Sequence, residues 1–225
     1  MTAQSRPLVR QERIGLPGQS ETLGATLSMP TDPAGLVIFA HGSGSSRFSP
    51  RNRLVANRLG EAGCATLLTD LLTQREESAD AITAEFRFDI PLLAQRLIVV
   101  TEHMREHRAS APLPIGYFGA STGAAAALIA AAQRPRWVSA VVSRGGRPDL
   151  AGDALARVAA PTLLIVGGND TEVIALNRKA RAMMRAHAEL AIIPRATHLF
   201  EEPGALERVA DLAAAWFARY LTQAV

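Results

Sequence analysis

The chain has 225 residues, 48% of them hydrophobic and 20% charged, with 24 Lys+Arg against 21 Asp+Glu. That is long enough for one α/β domain with a proper core, and the balance is that of an ordinary globular chain. The basic residues are scattered and nearly all are arginine, with no stripe interleaved with aromatics, so no nucleic-acid footprint is expected. The formal charge of +3 leans weakly toward anionic substrates. Cys64 is the one cysteine, which excludes an intrachain disulfide and fits a reducing compartment. Residues 1–13 are polar without an apolar signal core, and no apolar run approaches a membrane span. The expectation is a cytoplasmic protein with no membrane partner; oligomeric state is not legible.

In chain order, residues 8–14 and 21–28 read as a hairpin around Leu16-Pro17-Gly18. Residues 35–40 form a continuous apolar run, hence a buried strand, ending in His41-Gly42-Ser43-Gly44-Ser45-Ser46. The pattern predicts a helix over 52–62 with Gly63 at its stop, then a strand over 64–69. Residues 71–87 read as polar and irregular, a small lid segment reaching to about residue 90. A helix over 91–107 opens with proline in its first turn. A strand over 113–118 runs into Gly119-Ala120-Ser121-Thr122-Gly123 and a helix over 124–133. Strands follow over 137–143, ending at Arg144-Gly145-Gly146, and over 162–166, ending at Gly167-Gly168-Asn169-Asp170. A helix over 173–187, a strand over 190–193, the loop Pro194-Arg195-Ala196-Thr197-His198 and a helix over 204–221 complete the chain. Apolar runs alternating with helices specify a mostly parallel sheet covered on both faces. The whole chain, 1–225, reads as one domain.

In such sheets ligands gather outside the carboxyl ends of the strands. Ser121, Asp170 and His198 fall at three of those ends, in the chain order of the α/β-hydrolases. A serine hydroxyl becomes a nucleophile only when a base takes its proton. A tight strand-to-helix turn presents it, and Gly119, Ala120 and Gly123 supply the small neighbours that turn needs. The same turn leaves the N–H of Thr122 at a helix N-terminus, aimed at a developing oxyanion. Asp170 is placed to accept from a histidine Nδ1–H. Alternatively, Asp170 only caps the helix after it, with Glu172 as the rival acid. His198 is the candidate general base and acid. His103, His107 and His187 lie in or at the ends of predicted helices; His41 competes with His198, but its position favours bonding to loop backbone. The glycines around His41 allow close backbone approach, with Ser43 N–H as second oxyanion donor. A phosphate-cradling loop is disfavoured, because the lysine of that pattern is missing.

The His41-Gly42 loop, Gly119-Ala120-Ser121-Thr122-Gly123, the Gly167-Gly168-Asn169-Asp170 loop and the Ala196-Thr197-His198 loop together resemble the α/β-hydrolase superfamily, within it the dienelactone hydrolase-like group. The resemblance runs from about residue 14 to 221. It implies an eight-stranded, mostly parallel sheet with an antiparallel N-terminal hairpin, helices on both faces and a minimal cap. It implies a Ser121, Asp170, His198 triad with the N–H groups of Ser43 and Thr122 as oxyanion hole, acting on small esters or lactones without cofactor or metal. Typical dienelactone hydrolases carry cysteine where this chain has Ser121, which shifts the expectation to carboxylesterase chemistry through an acyl-enzyme. Cys64, at the start of a predicted strand, reads as a small buried hydrophobe.

Arg144 ends a strand on the edge that carries the triad, and Arg47 and Arg51 follow the oxyanion loop. Arg144, with Arg47, is the candidate clamp for a substrate carboxylate; the alternative is a structural ion pair with Glu201, Glu202 or Asp149. Two other functions stay open on the same residues. One is a thioesterase or peptidase on this triad, the other a non-catalytic ligand-binding scaffold, since fold alone does not fix chemistry.

Overall fold

The computed structural model describes residues 8–18 and 20–221. Residues 1–7 of the polar opening segment 1–13 lie outside them, as do the last four residues. Eight strands form one sheet in the order β1-β2-β4-β3-β5-β6-β7-β8. β1 (Leu8–Gly15) and β2 (Thr22–Met29) make the expected antiparallel hairpin, and β2 also runs antiparallel to β4 (Ala65–Thr69). From β4 onward every pairing is parallel, through β3 (Leu36–Ala40), β5 (Ile115–Ala120), β6 (Val138–Arg144), β7 (Thr162–Gly167) and β8 (Ala188–Ile193).

The two faces are covered by different helices. α3 (Ile90–Glu106), α4 (Thr122–Gln133) and the 3-10 segment Pro148–Arg157 pack one side around Leu97, Tyr117 and Leu128. α1 (Pro50–Glu61) and α6 (Ala205–Tyr220) pack the other around Phe39, Phe118 and Phe217. Every residue of β3, β4, β5 and β7 is buried, which is why these strands carry no charged residue and do not alternate apolar with exposed polar ones. Local chemistry sets the helix starts. Ser49 accepts from Asn52 N–H ahead of α1, and Asp89 from Leu92 N–H ahead of α3, each with proline in the first turn. Cys64 sits in the α1–α6 side of the core, and burial pushes its thiol up to about 11.

Two regions differ from the sequence expectation. Residues 71–87, read as irregular, contain α2 (Gln74–Thr83). Its start was legible: Thr73 Oγ1 accepts from Glu76 N–H while Glu76 returns a bond to Thr73 N–H, a capping box. What hid it is the lack of an apolar stripe, for Asp80 is its sole buried residue. The 3-10 segment was missed because Gly152, at φ 51°, breaks it into pieces too short to show a period. Among the described residues no helix is long and apolar enough to cross a membrane.

Candidate active site

The elbow after β5 is the most constrained turn in the molecule. Ser121 takes φ 50° and ψ −121°, a conformation L-residues avoid. It is held there by backbone bonds. Ser121 N–H donates to Arg144 C=O at 3.2 Å, and Ser121 C=O accepts from Ala124 N–H and Arg147 N–H, both at 3.1 Å. The glycines are required by contact. A Cβ on Gly119 would lie 2.4 Å from the Ala124 Cα, and one on Gly123 would lie 2.3 Å from the Ala40 carbonyl oxygen. No real Cβ tolerates either, so α4 reaches this close to β3 and β5 only with glycine at both places.

Asp170 follows β7 and occupies the N-cap position of α5 (Thr171–Met183), yet its side chain makes no capping bond. Instead its Oδ2 accepts from His198 Nδ1 at 2.7 Å. Glu172 lies within the first turn of α5 and faces solvent. His198 sits on the loop after β8, beside Gly145, where a Cβ would lie 3.6 Å from the ring Cε1. Nδ1 is engaged by Asp170, and among the described residues Nε2 has no hydrogen-bond partner, so the imidazole keeps one nitrogen free.

His41 is neutral and structural in character. Its Nε2 accepts from Leu71 N–H at 3.1 Å, so its proton is on Nδ1, which donates to Gly42 C=O at 2.9 Å. Burial holds its pKa below the ordinary histidine value, against the pull of Asp70 and Glu77. It pins the loop after β3 to the segment after β4. That loop abuts the elbow, since a Cβ on Gly42 would lie 3.0 Å from the Ser121 Cβ. Ser43 N–H is already engaged, donating to Thr122 Oγ1 at 2.9 Å. A cavity of about 360 Å³ lies between this loop and α2, lined by Ser43, Leu72, Glu77, Ala81 and Leu93 among others.

The arginines separate. Arg47 is spoken for: its backbone N–H and guanidinium both bond to Asp70, and the guanidinium lies 4.1 Å from the centre of the Phe48 ring. Arg144 has no such partner. It is 7% exposed, and among the described residues its Nε and Nη1 are sealed from water with nothing to bond. Each acid considered for it is engaged elsewhere. Asp149 pairs with Arg147, Glu201 lies 3.6 Å from Arg51, and Glu202 accepts from Thr197 N–H. Burial, with the like charge of Arg51 next, lowers the Arg144 pKa to about 10, so it stays cationic at neutral pH. Arg51, which the sequence reading left aside, is thus the arginine brought near it. A buried cation without a counter-charge costs several kcal/mol, so Arg144 is a poor stability element.

A serine on a strained strand-to-helix elbow, with an acid–histidine pair on the neighbouring strand ends, defines the protein as an α/β hydrolase by fold. A dienelactone hydrolase from Anabaena variabilis superposes with a TM-score of 0.94 at 55% identity, covering 96% of this chain and 100% of that one. The Dienelactone hydrolase family profile matches residues 23–222, and the chain belongs to that family. Est1E from Butyrivibrio proteoclasticus shares the fold at 17% identity, TM-score 0.77, covering 93% of this chain and 98% of its own. Two Mycobacterium tuberculosis proteins that carry the provisional name phosphoribosyl transferase are 54% identical over 219 residues, which is 97% of this chain. The chain spans about half the length of those curated relatives, 48% of each.

Proposed function

We propose that the protein is a serine hydrolase that cleaves small carboxylic esters or lactones through an acyl-enzyme. The 2.7 Å bond between Asp170 and His198 Nδ1, with Nε2 left free, is the observation that carries this reading. Ser121 attacks the carbonyl carbon as His198 takes its proton; the carbon–oxygen bond to the alcohol breaks as His198 returns that proton. Water then attacks the acyl-enzyme by the same route, releasing the acid and restoring Ser121. Asp170 keeps the imidazole in the Nδ1–H tautomer and stabilises the imidazolium. α2 acts as a small lid over the cavity beside the oxyanion loop. The transferase name of the longer relatives belongs, in this reading, to the half of them that this chain does not cover.

Arg144, with Arg51 beside it, holds an anionic group of the substrate, such as a carboxylate. The support is the absence of any carboxylate on a guanidinium this buried. A fluorophosphonate probe should label the wild-type protein at Ser121, and Ser121→Ala should lose turnover of p-nitrophenyl acetate by roughly 10⁴-fold or more. Folded wild-type protein that neither labels nor turns over the ester would sink the hydrolase reading. Arg144→Leu should lose activity on esters bearing a carboxylate while sparing neutral ones; an equal loss on both would remove the anion role alone.

A further inference from the structure

The Thr122 side chain is in an unusual position for a threonine at a helix. Within a helix, threonine spends its hydroxyl proton on a carbonyl one turn back. Thr101 does so in α3, donating to Leu97 C=O at 2.8 Å, and Thr83 in α2, donating to Ala79 C=O at 3.1 Å. Thr122 is the first residue of α4, so no helical turn precedes it to supply that carbonyl. Its one side-chain bond is the one it accepts from Ser43 N–H. Thr122 is 4% exposed, and its hydroxyl proton has no acceptor among the described residues. An idle buried donor is destabilising, and this one lies beside the nucleophile at the positive end of a helix.

We propose that the Thr122 hydroxyl is itself an oxyanion donor, with Ser43 N–H acting through it rather than on the substrate directly. The inference rests on the hydrolase reading above. Ser43 N–H donates to Oγ1 and polarises it, which strengthens the donation that Oγ1–H makes in turn. As Ser121 attacks, the carbonyl oxygen gains negative charge where this proton has no competing acceptor. No proton changes hands; the oxyanion accepts a hydrogen bond from Oγ1–H alongside Thr122 N–H. Ser43 is then a positioning residue and Thr122 a catalytic one. The rival arrangement, in which Ser43 N–H turns from Oγ1 to the oxyanion, makes the hydroxyl a plug on the oxyanion hole rather than a part of it.

The two arrangements predict opposite signs for Thr122→Val, which keeps the shape and deletes the hydroxyl. As a donor, its loss should lower kcat on the order of a hundredfold, the usual cost of one oxyanion contact, with KM nearly unchanged. Thr122→Ser should stay within about tenfold of wild type by the same reasoning. A trifluoromethyl ketone, which forms the oxyanion on binding, should lose affinity for Thr122→Val by the same factor as kcat/KM, while the product acid should not. Equal or faster turnover by Thr122→Val would overturn the proposal, because removing a plug frees Ser43 N–H. A rise in KM with kcat intact would overturn it too, as the mark of a clip that only shapes the pocket. If Thr122→Val fails to fold, the ratio of Thr122→Ser to Thr122→Ala decides the matter with the same inhibitor pair. Wild-type protein that neither labels nor turns over would count against the hydrolase reading; working wild type with a fast Thr122→Val would count against this inference alone.

Discussion

The elbow and α2 both adjoin the loop over residues 41–46 and are held by different physics. The elbow is fixed by close packing: two glycines let α4 touch β3 and β5, and backbone bonds from Arg144 and Arg147 lock Ser121 in a strained conformation. α2 buries a single residue, the charged Asp80, and is attached by ion pairs. Asp80 accepts from Phe86 N–H and Arg87 N–H and pairs with the Arg87 guanidinium, while Glu76 pairs with Arg96 at 2.7 Å. Arg75 reaches Glu21 on the outside. Packing tolerates no alternative arrangement, whereas an ion-paired helix can leave and return at the cost of rehydrating charges. In the hydrolase reading proposed above, the first suits a nucleophile that must not move and the second a cover that must.

The sharpest way to break the comparison is to add one carbon to the elbow. Gly123→Ala should destabilise the protein by about 3 kcal/mol, because the methyl meets the Ala40 and His41 carbonyls rather than a flexible side chain. Urea unfolding measures this, and a loss under ~0.5 kcal/mol, a typical surface effect, would mean the elbow is softer than its contacts imply.

On the α2 side, Arg96→Met leaves Glu76 without its partner. Because Glu76 keeps some water at 14% exposure, the cost should fall below the ~3–5 kcal/mol of a fully buried pair. Hydrogen exchange should speed up across α2 while the strands keep their protection. Uniform acceleration through the sheet would show α2 to be part of the cooperative core.

The smallest effect sits between the two regions, at His41. Its folded pKa lies below the unfolded value of about 6.5. Between the two the unfolded chain binds more protons, so the stability that neutral His41 contributes is present above pH ~6.5 and lost as pH falls toward the folded value. His41→Gln keeps a donor and an acceptor without titrating, so its stability should fall less than that of wild type between about pH 6.5 and 5. Parallel curves would assign the acid limb to other groups.

The sequence made one side of this comparison far more legible than the other. The elbow, the strand ends and the order of Ser121, Asp170 and His198 depend on neighbours in the chain: an apolar run, a glycine, a histidine after the last strand. The pairings of Arg47 with Asp70, Arg96 with Glu76 and Arg51 with Glu201 join residues 23, 20 and 150 positions apart, and no period dictates which cation meets which anion. That is why Arg47 was expected beside Arg144 and the structure puts Arg51 there instead. The engagement of Ser43 N–H by the Thr122 hydroxyl was hidden for the same reason, since it depends on a loop and an elbow 79 residues apart.

Cys64 has a practical consequence. With its thiol buried and pushed up to about 11, almost none of it is thiolate at neutral pH, so it is nearly silent to maleimides. It is also the one cysteine in the chain. Ile82, on α2, is 89% exposed. An Ile82→Cys variant therefore accepts a fluorophore or spin label at a single place without removal of the native residue, so whether that helix moves becomes directly observable in solution.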